Sequence, residues 1–140
     1  MDKTLKDYIQ DYYFQNNYNC AEAMIHAGND YYKLGMSEND MRMAAGFGAG
    51  LQCGQTCGAI ISAISLLSMR YVEKNAHSSP DISITSNMLI KRFKDKYNSL
   101  LCKDIRPQSF QKEIRCLNTI NFACDTLEEV IKEYDSKKRR

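Results

Sequence analysis

This chain of 140 residues lacks several features that would assign it to a familiar functional class. No apolar run approaches the length of about 18 residues that a transmembrane helix needs, so we expect no membrane span. No basic and apolar N-terminal stretch precedes a cleavage site, which argues against a signal peptide. These absences predict a cytoplasmic protein.

Several sequence motifs are also missing. No Cys-x-x-Cys occurs, which excludes the thioredoxin motif, a zinc ribbon and c-type haem attachment. No Gly-x-Gly-x-x-Gly follows a strand and no phosphate loop is present, so nucleotide binding has no support. The chain nevertheless has six cysteines. In a reducing compartment they indicate metal-binding or redox thiols rather than a disulfide framework.

The chain has little net charge: 19 Lys and Arg oppose 17 Asp and Glu, and the formal net charge is +2. This balance gives no reason to expect nucleic acid or a membrane surface as a partner. The basic residues 137–140 follow an acidic helix, and we interpret them as a solvated tail. Residues 1–136 are then expected to form a single domain.

Proline and strand-like alternation are both scarce. Pro80 and Pro107 are the two prolines, and apolar residues recur at spacings of three and four, which is the helical period. The pattern predicts an all-α protein, a compact bundle of about five to six helices around a central apolar helix at about residues 56–73. A connection containing Cys102 and Pro107 would lead to a last helix capped by Ser109.

Two predicted helix starts carry thiols. Asn19 can cap a helix with Glu22 three residues later, as in a capping box, so Cys20 lies in the first turn. Thr56 is a good N-cap residue, which would place Cys57 in the first turn of the central helix. The positive end of a helix dipole favours a thiolate, which is both the nucleophile and the metal ligand. We therefore expect Cys57 to be the most acidic thiol.

The C-terminal cysteines differ in their surroundings. Cys102 lies beside Lys103 and near Arg106, where positive neighbours favour a thiolate. Cys116 and Cys124 are about 12 Å apart along the last predicted helix, so at most one of them should join a site with the other cysteines. Cys124, between Ala and Asp, is the better candidate for the core.

Cys53 lies four residues before Cys57 in a Gly-rich loop. Gly50 and Gly54 favour a bent loop because glycine readily takes positive φ. A bend would allow the two sulfur atoms to meet, so we expect oxidation of the metal-free protein to link Cys53 and Cys57 in part. We also expect Cys53 to modify function and Cys57 to be essential for it.

Several motifs together resemble those of the C_GCAxxG_C_C family, whose members are described as redox-active. These motifs are Asn-Cys-Ala-Glu-Ala at residues 19–23, Ala-Gly-Phe-Gly-Ala-Gly at 45–50, Gln-Thr-Cys-Gly-Ala at 55–59, and the later Cys102 and Cys116. The similarity extends from about residue 20 to residue 131. One position departs from the family pattern: the final Gly of Cys-Gly-Ala-x-x-Gly is Ser62 here, where we expect looser packing.

The resemblance implies that the four family cysteines are Cys20, Cys57, Cys102 and Cys116, with Cys53 and Cys124 as additions. Our first hypothesis is that these four, with Cys53 as a further candidate ligand, bind an iron–sulfur cluster or another metal for electron transfer. This hypothesis requires the four cysteines to lie close together in the fold.

Two alternatives remain open. The first is a thiol–disulfide redox protein in which Cys57 is the attacking thiolate and Cys20 or Cys53 resolves the disulfide. The second is a non-catalytic helical interaction protein with buried cysteines. Whether the chain is an enzyme stays open. A redox chemistry implies a redox partner protein, and a homodimer is also left open.

Overall fold

Across residues 2–138, which are those that the computed structural model describes, the chain forms seven α-helices and no β-strand. The all-α prediction is confirmed. The helices are α1 (Leu5–Gln10), α2 (Cys20–Tyr32), α3 (Glu38–Met41), α4 (Gly58–Tyr71), α5 (Pro80–Tyr97), α6 (Cys102–Ser109) and α7 (Leu117–Lys138). None of the helices in this part of the chain combines the length and the hydrophobicity that crossing a membrane requires.

Irregular helical segments lie between some of the helices. Helix α1 continues as a π-helical turn, Asp11–Gln15, and α3 continues as a 3₁₀ segment, Arg42–Phe47. A tightly bent segment, Gly50–Gly54, precedes α4 and contains non-helical backbone angles. The short α3, the 3₁₀ segment that continues it and the bent segment before α4 together carry the chain from the end of α2 to the start of α4.

Helix α4 lies in the centre of the molecule, as the sequence predicts. It packs against α2, α5 and α7. Its side chains at Ile60, Leu66 and Leu67 are almost completely buried. Removing this apolar surface from water is the main favourable contribution to folding. The helix is slightly shorter than expected, because it begins at Gly58 and ends at Tyr71.

Helices α2 and α4 approach each other closely. Gly28 lies in the middle of α2. It has no side chain to block Leu66 of α4, because a Cβ atom at this position would lie 2.3 Å from Leu66 Cδ1. Ser62 is fully buried, and its hydroxyl donates a hydrogen bond of 2.9 Å to the Ala21 carbonyl. The looser packing expected at Ser62 is therefore not found. The serine that replaces the family glycine adds a hydrogen bond between the two helices.

The first three helices begin with capping boxes. Thr4, Asn19 and Ser37 each accept a hydrogen bond from the backbone amide three residues on, and the acidic side chain at that position accepts one from the cap amide. The start predicted at Asn19, with Glu22 three residues later, is confirmed. The box at Asn19 fixes the position where Cys20 enters α2.

The C-terminal third differs from the prediction. The stretch expected as a connection forms α6 and contains Pro107, with Ile105 as its buried anchor. Ser109 ends this helix and does not cap the next one. The last helix starts later because Gln111 and Arg115 exchange two backbone hydrogen bonds in a tight turn. The added α6 explains why the structure has more helices than predicted.

The boundary expected for a basic tail stays a prediction. Lys137 and Lys138, its first two residues, are the last residues of α7, and each has a carboxylate partner. Lys137 pairs with Glu133 at 3.0 Å and Lys138 with Asp81 at 2.6 Å. Residues 139 and 140 of the predicted tail lie outside the described residues.

We predict that Ser62→Ala lowers the free energy of unfolding by about 1 kcal/mol relative to Ser65→Ala. The first change removes a buried hydrogen bond between helices. The second removes only a bond from Ser65 to the Ile61 carbonyl within α4. Urea unfolding followed by circular dichroism measures both. Equal stability of the two variants would contradict the role given to Ser62.

Candidate functional site

One cavity of about 170 Å³ brings four cysteines together. Cys20, Cys57, Cys102 and Cys116 all line it, although the first and the last of them are 96 positions apart in the sequence. An engineered cavity of roughly this size, about 150 Å³, holds a benzene molecule. All six cysteines of the chain are free thiols. The structure thus brings together the four cysteines that the sequence singles out.

Each of the four cavity cysteines lies at the start of a helix. Cys20 is the first residue of α2, Cys57 is the N-cap of α4 and Cys102 is the first residue of α6. Cys116 directly precedes α7, and its carbonyl accepts a hydrogen bond from the Ile120 amide. Four helix N-termini therefore face the cavity. Their dipoles place partial positive charge around it.

A short antiparallel backbone pairing holds Cys57 beside Cys102. Thr56 lies opposite Leu101. On either side of this pair, the Cys57 amide donates to the Leu100 carbonyl at 2.9 Å and the Cys102 amide donates to the Gln55 carbonyl at 2.6 Å. The prediction that Thr56 caps α4 is therefore wrong. Thr56 is part of this extended pairing, and the cap position falls on Cys57.

Two glycines allow backbone segments to approach the thiols. A Cβ atom at Gly58 would lie 2.7 Å from the Phe47 carbonyl oxygen and 2.9 Å from the sulfur of Cys20. At Gly50, φ is +61° and a Cβ atom would lie 2.6 Å from Cys102 Cβ. Any larger side chain at these positions would push the surrounding segments away from the cysteines.

Burial is the largest influence on the pKa values of Cys20, Cys57 and Cys116. It raises the pKa of Cys57 to about 11, and the nearby thiols of Cys102 and Cys116 add to this effect. The Ala59 and Ile60 amides lower the pKa, but by less. The expectation that Cys57 is the most acidic thiol is therefore wrong. Desolvation of the thiolate outweighs the helix start.

Burial is also the main cause of the raised pKa values of Cys20 and Cys116. Burial raises the pKa of Cys20 to about 12, with the neighbouring Cys57 thiol as the next cause and the Ala49 amide acting in the opposite direction. Burial also raises the pKa of Cys116, against the charge of Arg106 and Arg115. In the metal-free protein these thiols are protonated at neutral pH.

Tyr13 is a site residue that the sequence analysis missed. It is only 3% exposed and lines the cavity. Its hydroxyl accepts a hydrogen bond of 3.1 Å from the Cys116 amide, and this hydroxyl also lowers the pKa of the Cys116 thiol. Arg115 holds the tyrosine from the other side, with its guanidinium 4.1 Å from the ring centroid and donating to the Tyr13 carbonyl at 3.0 Å.

No sequence signal distinguishes Tyr13 from the other apolar residues of α1 and of the π-helical turn that follows it. In the sequence it belongs to an apolar stripe, and the π-helical turn that carries it has no recognisable pattern. Such turns occur often at functional sites.

The cavity lining contains cations and no carboxylates. Arg106 and Arg115 both line it, and no Asp or Glu of residues 2–138 does. Together with the four helix N-termini, these side chains make the cavity a favourable environment for an anionic group. The same surroundings would stabilise thiolates once their protons are lost.

The other two cysteines lie elsewhere. Cys53 is exposed and does not line the cavity. Its loop is bent as predicted, since Gly50 and Gly54 have positive φ. A disulfide between Cys53 and Cys57 stays a prediction. Cys124 is fully buried, and its sulfur lies 3.8 Å from that of Met24, so it is part of the hydrophobic core.

The geometry of the thiols bears on the kind of metal centre that could fit. Within residues 2–138, no three Cys, His, Asp or Glu side chains lie close enough together to hold one metal ion. A single zinc ion needs its sulfur ligands at about 2.3 Å from one point. In a four-iron cluster, by contrast, each cysteine binds a different iron, so the thiols surround a volume. In the described part of the chain, the four thiols therefore line one cavity without any three of them being placed for a single ion.

Comparison with known proteins identifies a family. A family model described as "Putative redox-active protein (C_GCAxxG_C_C)" matches residues 18–130. The matched range includes all four cavity cysteines. No curated protein and no solved structure shows significant similarity to the chain.

We predict that Gly58→Ala destabilises the protein by about 1–3 kcal/mol, since the added methyl group meets backbone and the Cys20 sulfur. Gly46→Ala is the matched control, because a Cβ atom there has nothing within 4 Å. Chemical denaturation measures the stability of both variants. Unchanged stability of Gly58→Ala relative to Gly46→Ala would argue against a tight approach of α4 to Cys20.

We also predict the order in which thiols react with iodoacetamide in reduced, metal-free protein. Near neutral pH, the exposed Cys53 should react first, and the buried, protonated Cys57 and Cys20 should react slowly. Because the raised pKa keeps Cys57 protonated, its labelling should increase only as the pH rises above 9.0 towards about 11.

Peptide mapping by mass spectrometry gives the labelling rate of each cysteine as a function of pH. The unfolded protein in denaturant is the control, and there all six thiols should follow the ordinary dependence with a pKa of about 8.5. If folded Cys57 titrates as it does in the unfolded chain, burial does not control its pKa.

Proposed function

This chain belongs to the C_GCAxxG_C_C family, and we propose that its cavity cysteines bind an iron–sulfur cluster, or a related metal centre, for electron transfer. The ligands would be Cys20, Cys57, Cys102 and Cys116. The observation that carries the proposal is the convergence of these four thiols from four helix starts on one cavity. Fe–S clusters are commonly held by four cysteine thiolates.

The charge around the cavity supports an anionic occupant. Four thiolates bring four negative charges into a largely buried site, which is unfavourable without compensation. Arg106, Arg115 and the four helix N-termini supply positive charge, and metal cations would supply the rest. Burial keeps the metal-free thiols of Cys20, Cys57 and Cys116 protonated by raising their pKa values, so metal binding has to release protons and becomes stronger as the pH rises.

The protein would contribute the surroundings of such a centre. A bound cluster would accept and release single electrons, and its reduction potential depends on burial and on hydrogen bonds to sulfur. The Ala49 amide interacts with the sulfur of Cys20, and the amides of Ala59 and Ile60 with that of Cys57. Tyr13 fixes Cys116 through its backbone amide. These groups would hold the ligands in place and tune the potential.

Thiol–disulfide exchange among the same cysteines is the alternative. It requires an attacking thiolate that reaches its substrate. Cys57 is 6% exposed, and burial raises its pKa to about 11, so a thiolate at neutral pH is disfavoured. Burial does not prevent metal binding in the same way, because a metal ion displaces the thiol proton. The acid–base balance therefore favours the metal centre.

We predict that anaerobic reconstitution with ferrous iron and sulfide gives a coloured protein. Its absorption should show sulfur-to-iron charge transfer, and iron should be present in stoichiometric amounts. Serine replacement of any one of the four cavity cysteines should remove most of the bound iron, because each would lose one thiolate ligand. Absorption spectra and iron and sulfide analysis measure the outcome.

Cys53→Ser is the matched control and should keep most of the bound iron, since Cys53 is exposed and lies outside the cavity. Loss of iron from Cys53→Ser equal to that from Cys57→Ser would make Cys53 a ligand. A colourless wild-type protein without iron, together with a reversible disulfide between cavity cysteines, would instead favour thiol–disulfide exchange.

A further inference from the structure

A second groove adjoins the thiol cavity on the protein surface. The groove and the cavity share Ala49, Cys102, Arg106 and Phe110 in their linings. Cys102 is thus the cavity cysteine that also lines the groove. A molecule seated over the groove would therefore lie next to a proposed ligand of the redox centre.

Cations surround this groove and the cavity mouth. Lys103 and Arg106 are exposed and line the groove, and Arg115 lines the adjoining cavity. None of the three forms a salt bridge within residues 2–138, and no carboxylate from these residues lines either concavity. Elsewhere on the surface, Arg70 and Arg92 have carboxylate partners. The cations at the groove therefore keep an uncompensated positive potential.

Partly exposed aromatic rings accompany two of these cations. The Arg106 guanidinium lies 4.5 Å from the ring centroid of Phe110, and that of Arg115 lies 5.5 Å from the ring centroid of Phe14. Phe110 is 38% exposed and Phe14 is 39% exposed. Arginine and aromatic side chains are the residues most enriched at the energetic centres of protein interfaces. Stacking on a ring also restrains the arginine before a partner arrives.

We infer that this cationic face, formed by Phe14, Lys103, Arg106, Phe110 and Arg115, is the docking surface for an acidic redox partner protein. The inference rests on the proposed function, since electron transfer requires a partner close to the centre. Charge complementarity identifies the occupant as a protein patch rich in Asp and Glu. Apolar contacts with Phe14 and Phe110 would add to the attraction.

Nucleic acid is the less favoured occupant of the cationic face. A protein that follows a phosphate backbone commonly makes about 6–10 phosphate contacts. The face offers three cations, and the whole chain has a formal net charge of only +2. A compact patch of this kind matches the limited area of a transient redox complex.

The experiment uses poly-L-glutamate as an acidic polypeptide probe, titrated calorimetrically into the full chain at low ionic strength. Wild-type protein should bind it, and binding should weaken as salt is added. The variant Lys103→Glu/Arg106→Glu should lose about tenfold or more in affinity, because the potential at the face changes sign. Single-stranded DNA is titrated in parallel as the competing polyanion.

The matched control is Lys74→Glu/Lys132→Glu, which changes the net charge equally. Both lysines are exposed and line neither the cavity nor the groove. This variant should retain wild-type affinity within about twofold, apart from long-range screening effects. Circular dichroism checks that both variants are folded, and Lys103→Gln/Arg106→Gln provides a milder change if the charge reversal unfolds the chain.

Three outcomes would overturn the docking surface: no binding of polyglutamate by the wild-type protein, equal losses in the two double variants, or tighter binding of DNA that depends on the same face. Iron uptake is measured separately on the same preparations. Wild-type protein that binds polyglutamate at this face but takes up no iron would contradict the metal centre alone. If the protein takes up iron but the Lys103→Glu/Arg106→Glu variant binds polyglutamate as tightly as the wild type, the docking surface alone is contradicted.

Discussion

Two backbone hydrogen bonds, on either side of the Thr56–Leu101 pair, join the start of α4 to the start of α6. They pair the amides of Cys57 and Cys102, which neither helix can satisfy internally at its N-terminus, with carbonyls of the segments that precede the helices. With these groups paired, Cys57 and Cys102 are held at adjacent positions of the cavity wall. The other two cysteines are then brought in by the capped start of α2 and by the tight turn before α7. The cavity is thus built from backbone constraints, and the thiols add little to its formation.

The electrostatics of the cavity result from two opposing effects. Helix starts and arginines favour negative charge on sulfur, whereas burial disfavours it. For Cys57 and Cys20 burial is the larger effect, and their pKa values are raised. A protein that only needed a reactive thiolate would gain from greater exposure of Cys57. Positive surroundings combined with buried, protonated thiols suit a site in which a cation replaces the protons.

The sequence was sufficient for much of the fold and for part of the site. Capping chemistry at Asn19 and the apolar character of α4 are local signals, and both predictions were confirmed. The start of α4 was misplaced because Thr56 is a strong cap residue by type, yet it is engaged in a tertiary backbone pairing. Helix α6 was missed because it has only 8 residues and contains Pro107. A helix of this length has too few apolar residues to show the helical spacing of three and four.

The thiol site, like the fold, was predicted only in part from the sequence. Family motifs pointed to the four cysteines that line the cavity, but no local pattern could give the depth at which they are buried. Burial depends on contacts between distant segments, and for that reason the acidity expected for Cys57 was wrong. Tyr13 was missed on the same grounds, since its hydroxyl meets Cys116 across 103 positions of sequence.

The long sequence separation within the cavity also has a consequence for biosynthesis. Closing a loop of this length costs conformational entropy that is recovered only when the distant segments dock. Cys20 and Cys57 emerge early from the ribosome, but the wall that holds Cys102 and Cys116 comes much later. A nascent or truncated chain that ends before α6 lacks Cys102 and Cys116 and cannot enclose the cavity. The complete thiol site therefore requires synthesis to have passed Cys116 and the distant segments to have docked, and any cofactor that needs all four thiols would be retained only by such chains.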